Sequence, residues 1–240
     1  MEKLGLLYEG KAKRIYATND EGIVWVEYKD SATAFNGEKK ATITGKGRLN
    51  NTISCLLFEM LHEKGIDTHL VERISDIEQL VKKVAIIPLE VVVRNVAAGS
   101  LSKRLGLEEG SPLASPIIEL YYKNDELGDP LINEDHIKLL HLASMLQVNE
   151  MKQKAQEINT VLTSFFDEKN VRLIDFKLEF GITTDGTVLL ADEISPDTCR
   201  LWDKETNEKL DKDVFRRGLG SLTEAYEQIL ERLGGSSCTK

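Results

Sequence analysis

One segment constrains the fold more than any other: residues 171–181 read VRLIDFKLEFG, and the pair Asp185-Gly186 follows closely. Because side chains on a strand alternate between its two faces, this pattern predicts a strand with one apolar face and one charged face. An Asp-Gly pair between two such runs is typical of a β-hairpin, so we predict paired strands over 171–181 and 187–194. The apolar face would be Ile174, Phe176, Leu178 and Phe180, and the charged face Asp175, Lys177 and Glu179.

The hairpin register predicts a specific pair of carboxylates. If Asp185 and Gly186 form a two-residue loop, Glu179 lies directly opposite Asp192. Two carboxylates about 5 Å apart across a sheet repel each other. Mg²⁺ would offset that repulsion, because it favours one or two carboxylates together with phosphates and water. A solvated charged face without any ligand fits the pattern equally well, and a slip of one residue would destroy the pairing.

The rest of the chain predicts short strands first and helices later. The apolar residues between Leu49 and Leu61 recur at helical spacing and predict a helix, which Gly65 would end. We also predict a buried strand and four further helices, in chain order: a helix opened by a capping box at 75–78, the strand over 84–93, a helix capped by Ser100, one capped by Asn149, and one over 214–233. This order is typical of an α+β fold with two lobes, antiparallel sheets and flanking helices. We place the lobes at residues 1–84 and 85–240.

Composition argues against several classes of protein. The formal net charge of -9 disfavours nucleic-acid binding, which needs a basic face. The most apolar run, residues 84–93, is far shorter than the roughly 20 residues that span a membrane. The three cysteines are far apart and indicate reduced thiols. We therefore expect a cytoplasmic protein that binds neither nucleic acid nor membrane.

Two further segments are typical of anion binding. Gly10-Lys11-Ala12-Lys13 lies between two short strands, where backbone amides and two lysines could hold a polyphosphate. Arg94 precedes a helix that starts near Ser100, and a helix N-terminus attracts phosphate. Arg200 follows the second hairpin strand. Each feature alone is also compatible with an ordinary basic surface, but together they favour a site for anions beside the two carboxylates.

Over essentially its whole length the sequence resembles the phosphoribosylaminoimidazole-succinocarboxamide synthases, also called SAICAR synthetases. The resemblance rests on two long segments, IIPLEVVVRNVAAGS (86–100) and LIDFKLEFG (173–181), and on the shorter runs YEGKAKRIY, KNDELGDP and DEISPDTCRLWD. It implies a two-lobed fold related to ATP-grasp, with ATP in the cleft between the lobes. It also implies a Mg²⁺-dependent ligase of de novo purine (IMP) biosynthesis and, among bacterial members, a homodimer. The implied reaction joins L-aspartate to the carboxylate of carboxyaminoimidazole ribonucleotide, giving SAICAR, ADP and phosphate through an acyl phosphate.

The resemblance also implies which ligand each of several residues would contact. ATP would be bound by Lys11, Ala12 and Lys13 at its phosphates and by Ile86, Ile87, Leu89 and Glu90 at its base. Mg²⁺ would be bound by Glu179 and Asp192. The imidazole nucleotide would be bound by Arg94, Ser100 and Arg200, with Lys123 and Asp129 in a nearby loop. The catalytic residues would be Asp175, Lys177 and Asp197. The stretch 35–37 matches a mobile loop in which some members have Asp where this chain has Asn36, so no role that needs a carboxylate is assigned there. The residues that bind aspartate are not assigned.

Two other functions are open from the residues alone. An ATP-dependent kinase of a small metabolite would use the same lysines and metal carboxylates, and a regulatory module would bind the nucleotide without turnover. Dependence of phosphate release on aspartate distinguishes the ligase from the kinase. Steady-state ADP formation distinguishes an enzyme from the regulatory module.

Overall fold

The computed structural model describes residues 1–34 and 37–235, and in these ranges the chain forms thirteen strands and six α-helices. The strands are β1 (Lys3–Glu9), β2 (Lys13–Thr18), β3 (Ile23–Tyr28), β4 (Ser31–Ala34), β5 (Lys39–Thr42), β6 (Leu70–Arg73), β7 (Glu78–Lys82), β8 (Ala85–Val96), β9 (Pro112–Tyr122), β10 (Leu131–Ile132), β11 (Val171–Ile182), β12 (Val188–Ala191) and β13 (Cys199–Asp203). The helices are α1 (Lys46–Glu63), α2 (Gly99–Leu105), α3 (Glu134–Leu140), α4 (Met145–Glu168), α5 (Asp213–Arg217) and α6 (Leu222–Arg232). Within the described ranges no helix is both long and apolar enough to cross a membrane.

Two antiparallel sheets carry the architecture. The first has the strand order β1-β2-β3-β7-β6, and the second has the order β10-β9-β8-β11-β12 with β13 also paired to β11. Strands β4 and β5 form a separate hairpin. A parallel bridge between Thr68 and Leu190 links the chain just before β6 to β12. The predicted α+β class, with antiparallel sheets and flanking helices, is confirmed.

The chain passes from the first sheet to the second between Lys82 and Ala85, but elements on both sides of this point pack into one core. Leu49, Ile53 and Phe58 of α1 are fully buried in the same core as β8, β11, α4 and α6. The first sheet has only a small core of its own around Val24, Val26, Tyr28 and Val81. A division into lobes at residues 1–84 and 85–240 therefore stays a proposal about the two sheets, since α1 packs across it.

Helix α4 buries the apolar stripe that its spacing predicts. Met151, Ala155, Ile158 and Leu162 are all fully buried, and burying a large apolar side chain stabilises the fold by about 1.5–3 kcal/mol. The predicted start at Asn149 is wrong. The helix begins at Met145, where Ser144 and Gln147 form a reciprocal capping box. This adds a full turn before the predicted start.

Two other helix predictions fail because local turns replace them. Residues 75–78 do not open a helix; they form the turn between β6 and β7, with the Ser75 amide donating to the Glu78 carbonyl at 3.1 Å. The predicted helix over 214–233 is two helices, α5 and α6. It breaks because Gly218 and Gly220 adopt positive φ angles of 67° and 149°, outside the right-handed helical region.

The hairpin register differs by one residue from the prediction. Glu179 pairs with Ala191 rather than with Asp192. The loop has three residues instead of two, because the Thr183 amide donates to the Thr187 carbonyl at 3.0 Å and Gly186 takes the left-handed conformation at φ 88°. Three-residue loops with such a glycine are the next most common hairpin class. The prediction that Glu179 lies directly opposite Asp192 is therefore wrong.

The predicted alternation along β11 holds over most of the strand. Phe176, Leu178 and Phe180 lie in the main core. Ile174 is an exception, since it packs with Val96, Ala98 and Trp202 in a separate cluster. The pairing of β11 with β13 shifts register between Leu173 and Asp175, and the extra residue of such a bulge reverses the face on which side chains emerge.

Two of the three cysteines lie in the described part, and both Cys55 and Cys199 are buried free thiols there. Burial raises the pKa of the Cys55 thiol to about 12, so it is not ionised near neutral pH. Cys238 lies outside the described residues.

Candidate active site

A cleft of about 520 Å³ lies over the charged face of β11. The turn before β2 lines one side of it, and the central residues of β8 and the segment that follows β12 line others. Most of the predicted site residues line it: Lys11, Ala12, Lys13, Glu90, Arg94, Ser100, Lys123, Asp129, Asp175, Lys177, Glu179, Asp192, Asp197 and Arg200. One cleft therefore brings together residues from six separate stretches of the chain.

Three residues predicted at the base of ATP are not among those that line this cleft. Ile87 and Leu89 are buried in the main core, and Ile86 is 43% exposed. For Ile87 and Leu89 the side chains are committed to packing. Their predicted role at the adenine stays a prediction that would rest on main-chain groups.

The edge of β11 explains why the acidic segment after β12 enters the cleft. Strands β12 and β13 lie end to end along that edge, one pairing with Glu179–Ile182 and the other with residues 171–176. Between them the chain leaves the sheet at Asp192, which has a left-handed φ of 59°, and returns at Thr198. The Thr198 carbonyl accepts the Lys177 amide at 2.8 Å. This detour points residues 192–197 at the cleft.

Lysines hold the two predicted metal carboxylates. Lys13 Nζ lies 2.7 Å from Asp192 Oδ1 and 2.9 Å from Glu193 Oε1. Lys123 Nζ lies 2.8 Å from Glu179, and Lys177 Nζ contacts both Glu179 and, at 2.9 Å, Glu90. Each carboxylate therefore has at least one ammonium partner at hydrogen-bonding distance.

The charges in this cluster stabilise one another. Burial acts to lower the pKa of Lys13, but the carboxylates of Asp192 and Glu193 outweigh it and raise that pKa well above the ordinary value. For Asp192, burial acts to raise the pKa, and the charges of Lys13 and Lys177 outweigh it and lower the pKa. Lysine and carboxylate are both ionised near neutral pH, as binding of a metal or a phosphate requires.

The carboxylates Glu179 and Asp192 have the chemistry to hold a magnesium ion whose other ligands would be phosphate oxygens and water. In the part of the chain that the structure describes, no three His, Cys, Asp or Glu residues group closely enough to hold a metal by themselves. Mg²⁺ does not need such a cage, because it is commonly bound by one or two carboxylates together with phosphate oxygens and water. Both carboxylates also line the cleft beside the lysine turn.

At the other end of the cleft, two arginines converge on Asp175. Arg94 Nη1 donates to Asp175 Oδ2 at 2.8 Å, and Arg200 Nη1 donates to the same atom at 2.9 Å. Arg94 also donates to Glu119 at 2.8 Å, and its Nη2 donates to Ser100 Oγ and Tyr121 Oη at 3.0 Å each. The Arg94 side chain is only 4% exposed, and these bonds fix the orientation of its guanidinium group. Ser100 is thus a partner of Arg94 and does not cap α2, whose N-cap is Ala98.

Gly99 makes room for Arg200. A Cβ at this position would lie 2.5 Å from Arg200 Nη2, and the residue has a left-handed φ of 55°. Both facts favour glycine here. On its other side, Arg200 Nε donates to Asp213 Oδ2 at 3.1 Å.

Asp197 belongs to a buried charge cluster with Lys46, Lys212 and Tyr226. Its carboxylate lies 2.7 Å from Lys46 Nζ and 3.2 Å from Lys212 Nζ, and it accepts a hydrogen bond from the Tyr226 hydroxyl at 2.5 Å. The Lys46 contact is an ion pair without hydrogen-bond alignment. Burial acts to raise the pKa of Asp197, but Lys46 and Lys212 outweigh it and lower the pKa.

Sequence reasoning missed several of these residues: Lys46, Glu119, Tyr121, Glu193, Lys212 and Tyr226. Glu193 is adjacent to a predicted metal ligand, and Lys212 lies in the segment that follows the run DEISPDTCRLWD, so both could have been found. Lys46 gives no local signal, because its partner Asp197 is remote in sequence. Asn36 lies outside the described residues.

The chain is similar to known proteins in both sequence and fold. A family model described as SAICAR synthetase matches residues 6–233. A phosphoribosylaminoimidazole-succinocarboxamide synthase from Bacillus cytotoxicus is 70% identical over 237 residues, which cover 99% of each chain. A crystal structure of the synthase from Ehrlichia chaffeensis superimposes with a TM-score of 0.94 at 47% identity, covering 97% of this chain and 99% of the other. A SAICAR synthetase in complex with ADP superimposes with a TM-score of 0.93 at 49% identity and the same coverage.

Proposed function

The chain belongs to the SAICAR synthetase family, and we propose that its cleft joins L-aspartate to the carboxylate of carboxyaminoimidazole ribonucleotide, with ATP converted to ADP and phosphate. As a member of this family it is an ATP-dependent ligase of purine biosynthesis. The observation that carries the proposal is that one cleft holds a lysine-and-carboxylate cluster at one end and an arginine cluster at the other. The first suits a magnesium nucleotide and the second suits a phosphorylated substrate.

The reaction needs both ends of the cleft because a carboxylate is a poor electrophile. An oxygen of the substrate carboxylate attacks the γ-phosphorus of ATP, the bond to ADP breaks, and an acyl phosphate forms. The aspartate amine then attacks the acyl carbon, phosphate leaves, and the amine loses a proton. Negative charge accumulates during the first transfer, and fixed cations in a site that excludes water stabilise it.

Lys11 and Lys13 are the residues we assign to the ATP phosphates. Lys11 is accessible, with 53% of its side chain exposed, whereas Lys13 is held against Asp192 and Glu193. Glu179 and Asp192 would hold Mg²⁺, which when bound neutralises phosphate charge and orients the transferred group. Lys177 lies between Glu90 and Glu179 and would place an ammonium beside the reacting groups.

We assign Arg94, Ser100 and Arg200 to the imidazole nucleotide. Four of the five N–H groups of Arg94 already donate within the chain, one from Nε, one from Nη1 and two from Nη2. The second hydrogen of Nη1 is the one we assign to a phosphate oxygen. Asp175 accepts a hydrogen bond from each arginine and so fixes the position of both. A preorganised pair of guanidinium groups binds a phosphate with less loss of entropy than two free side chains.

Omission of aspartate tests the ligase assignment against the kinase alternative, which the names of the relatives do not favour. We expect ADP formation from ATP, Mg²⁺ and the imidazole nucleotide to depend on aspartate and to equal the SAICAR formed. Equal ADP release with and without aspartate would overturn the assignment. An absence of turnover with all substrates would support the regulatory-module alternative.

Substitution of the carboxylates tests the metal assignment. We expect Glu179→Gln and Asp192→Asn each to reduce turnover by about 100-fold or more, as loss of a group that stabilises transition-state charge does, and to raise the Mg²⁺ concentration needed. Glu63→Gln and Asp67→Asn are matched controls, because both residues are exposed and make the same change in charge. Near-normal kinetics in both site variants would contradict the assignment.

We also propose a homodimer in the cytoplasm that binds neither nucleic acid nor membrane. The oligomeric state is measured by sedimentation velocity over a range of protein concentrations. A monomer at every concentration would contradict the dimer.

A further inference from the structure

The loop between β9 and β10, residues 123–129, reaches across the cleft and has a defined internal structure. Asn124 Oδ1 accepts the amides of Glu126 and Leu127 at 3.1 and 3.2 Å and so caps the short 3-10 turn at Asp125–Leu127. Asp129 Oδ1 accepts the Asn124 amide at 2.8 Å and closes the loop. A loop tied in this way moves as one unit, and the charged side chains of Lys123 and Asp125 move with it.

Those two side chains contact opposite partners in the cleft. Lys123 Nζ lies 2.8 Å from Glu179, one of the two carboxylates assigned to Mg²⁺. Asp125 Oδ1 lies 2.6 Å from Lys11 Nζ, a lysine assigned to the ATP phosphates. The loop thus presents a cation to the metal carboxylate and an anion to the phosphate lysine.

We propose that the 123–129 loop competes with the magnesium nucleotide for Glu179 and Lys11, and that Asp125 is the residue that a nucleotide phosphate displaces. This inference rests on the proposed function, because it takes Lys11 as a phosphate ligand. A phosphate bound to Lys11 would lie beside the Asp125 carboxylate, which is 2.6 Å from the same Nζ, and the two anions would repel each other. The loop therefore gives up the Lys11 pair when the nucleotide binds, and Lys123 is released from Glu179 as the metal arrives.

The exposure of the Lys11–Asp125 pair sets the size of the effect. The two side chains are 53% and 69% exposed. An exposed ion pair contributes about 0.2–1 kcal/mol, so its removal changes nucleotide affinity by roughly 1.4-fold to 5-fold by the factor of ten per 1.4 kcal/mol. Lys123 is less suited to a test, since Glu179 keeps Lys177 as a second partner when Lys123 is removed.

Calorimetric titration with MgADP tests the proposal through Asp125→Asn. The matched control is Glu126→Gln, because Glu126 is exposed, lies in the same loop and makes the same change in charge. We expect Asp125→Asn to lower the Kd for MgADP by about 1.4-fold to five-fold, and Glu126→Gln to leave it unchanged. A Kd for Asp125→Asn equal to that of the control, or higher than that of the unmodified protein, would overturn the proposal.

A double-mutant cycle identifies the partner. In a Lys11→Met background, Asp125→Asn should no longer tighten MgADP binding, because the lysine for which they compete is gone. The same gain in both backgrounds would show that Asp125 acts by long-range charge alone and would overturn the proposal. If the unmodified protein bound no MgADP, the proposed function would fail together with this inference, whereas MgADP binding without the expected difference refutes only the loop.

Discussion

Replacement of Asp197 by Asn removes the one carboxylate that compensates a fully buried lysine. The side chain of Lys46 is 0% exposed, and in the described residues Asp197 is its ion-pair partner, at 2.7 Å. Asp197 has more partners than Lys46, because Lys212 and Tyr226 also contact its carboxylate. The cluster is therefore asymmetric, and the two halves of the pair are not equivalent to remove.

The asymmetry gives different magnitudes for the two substitutions. Asp197→Asn leaves the Lys46 charge buried without compensation, and breaking a buried pair in this way costs about 3–5 kcal/mol of unfolding free energy. Lys46→Met leaves Asp197 with Lys212 and a hydroxyl donor and fills the space with an apolar chain. We therefore expect a smaller loss, about 1.5–3 kcal/mol, comparable to loss of a hydrogen bond to a charged group.

Equilibrium unfolding in urea at pH 7 measures both values. The double variant Lys46→Met with Asp197→Asn should lose less than the sum of the single variants, because it leaves no buried charge unpaired. Lys212→Met is the control for loss of the more exposed partner, whose side chain is 16% accessible. Two equal single losses, or strict additivity in the double variant, would refute the reasoning.

Two further outcomes follow from the arginine end of the cleft, and a third follows from the fully buried carboxyl group of Asp211. Arg94→Lys should weaken binding of the imidazole nucleotide by at least about ten-fold and leave the Kd of MgADP unchanged, because an ammonium cannot replace a guanidinium that has four partners. Equal changes in the two Kd values measured by calorimetry would contradict this. Gly99→Ala should raise the KM for the imidazole nucleotide, because the new Cβ would meet the Arg200 guanidinium. It should also cost about 1–2 kcal/mol of stability through strain at the left-handed φ. An unchanged KM would count against the close approach of Gly99 to Arg200. Burial, and then the neighbouring Asp213, raise the pKa of Asp211 from 3.8 to about 7, so the native state keeps a proton that the unfolded chain loses. The contribution of Asp211 to stability is therefore present below pH 3.8 and is lost as the pH rises to about 7. Over that pH range the urea midpoint of Asp211→Asn should fall less than the midpoint of the unmodified protein. Midpoints that fall in parallel for the two proteins would refute this assignment.

The parts of the site that the sequence predicts are those fixed by local rules. Alternation along β11 places Asp175, Lys177 and Glu179 on the cleft side, because a strand leaves few choices for successive side chains. The helical stripe of α4 is predictable for the same reason. The family resemblance supplied substrates that no spacing could supply.

The errors arise where one residue of loop length or a remote contact decides the outcome. The hairpin loop has three residues because Thr183 and Gly186 stabilise a longer turn, and this moves Asp192 out of register with Glu179. Asp192 still reaches the cleft, but it does so by leaving the sheet at a positive φ rather than by facing Glu179 across it. Lys46 was missed because its burial depends on Asp197, 151 positions along the sequence from it.

Transfer of a labelled oxygen tests most directly that the cleft activates a carboxylate with ATP. The imidazole nucleotide is labelled with a heavy oxygen isotope in its carboxylate and is turned over to completion with ATP, Mg²⁺ and aspartate, and the released phosphate is analysed by mass spectrometry. An acyl phosphate requires that one carboxylate oxygen leave with the phosphate, so we expect one labelled oxygen in each phosphate formed. Unlabelled phosphate, with SAICAR formed in equal amount, would contradict the account.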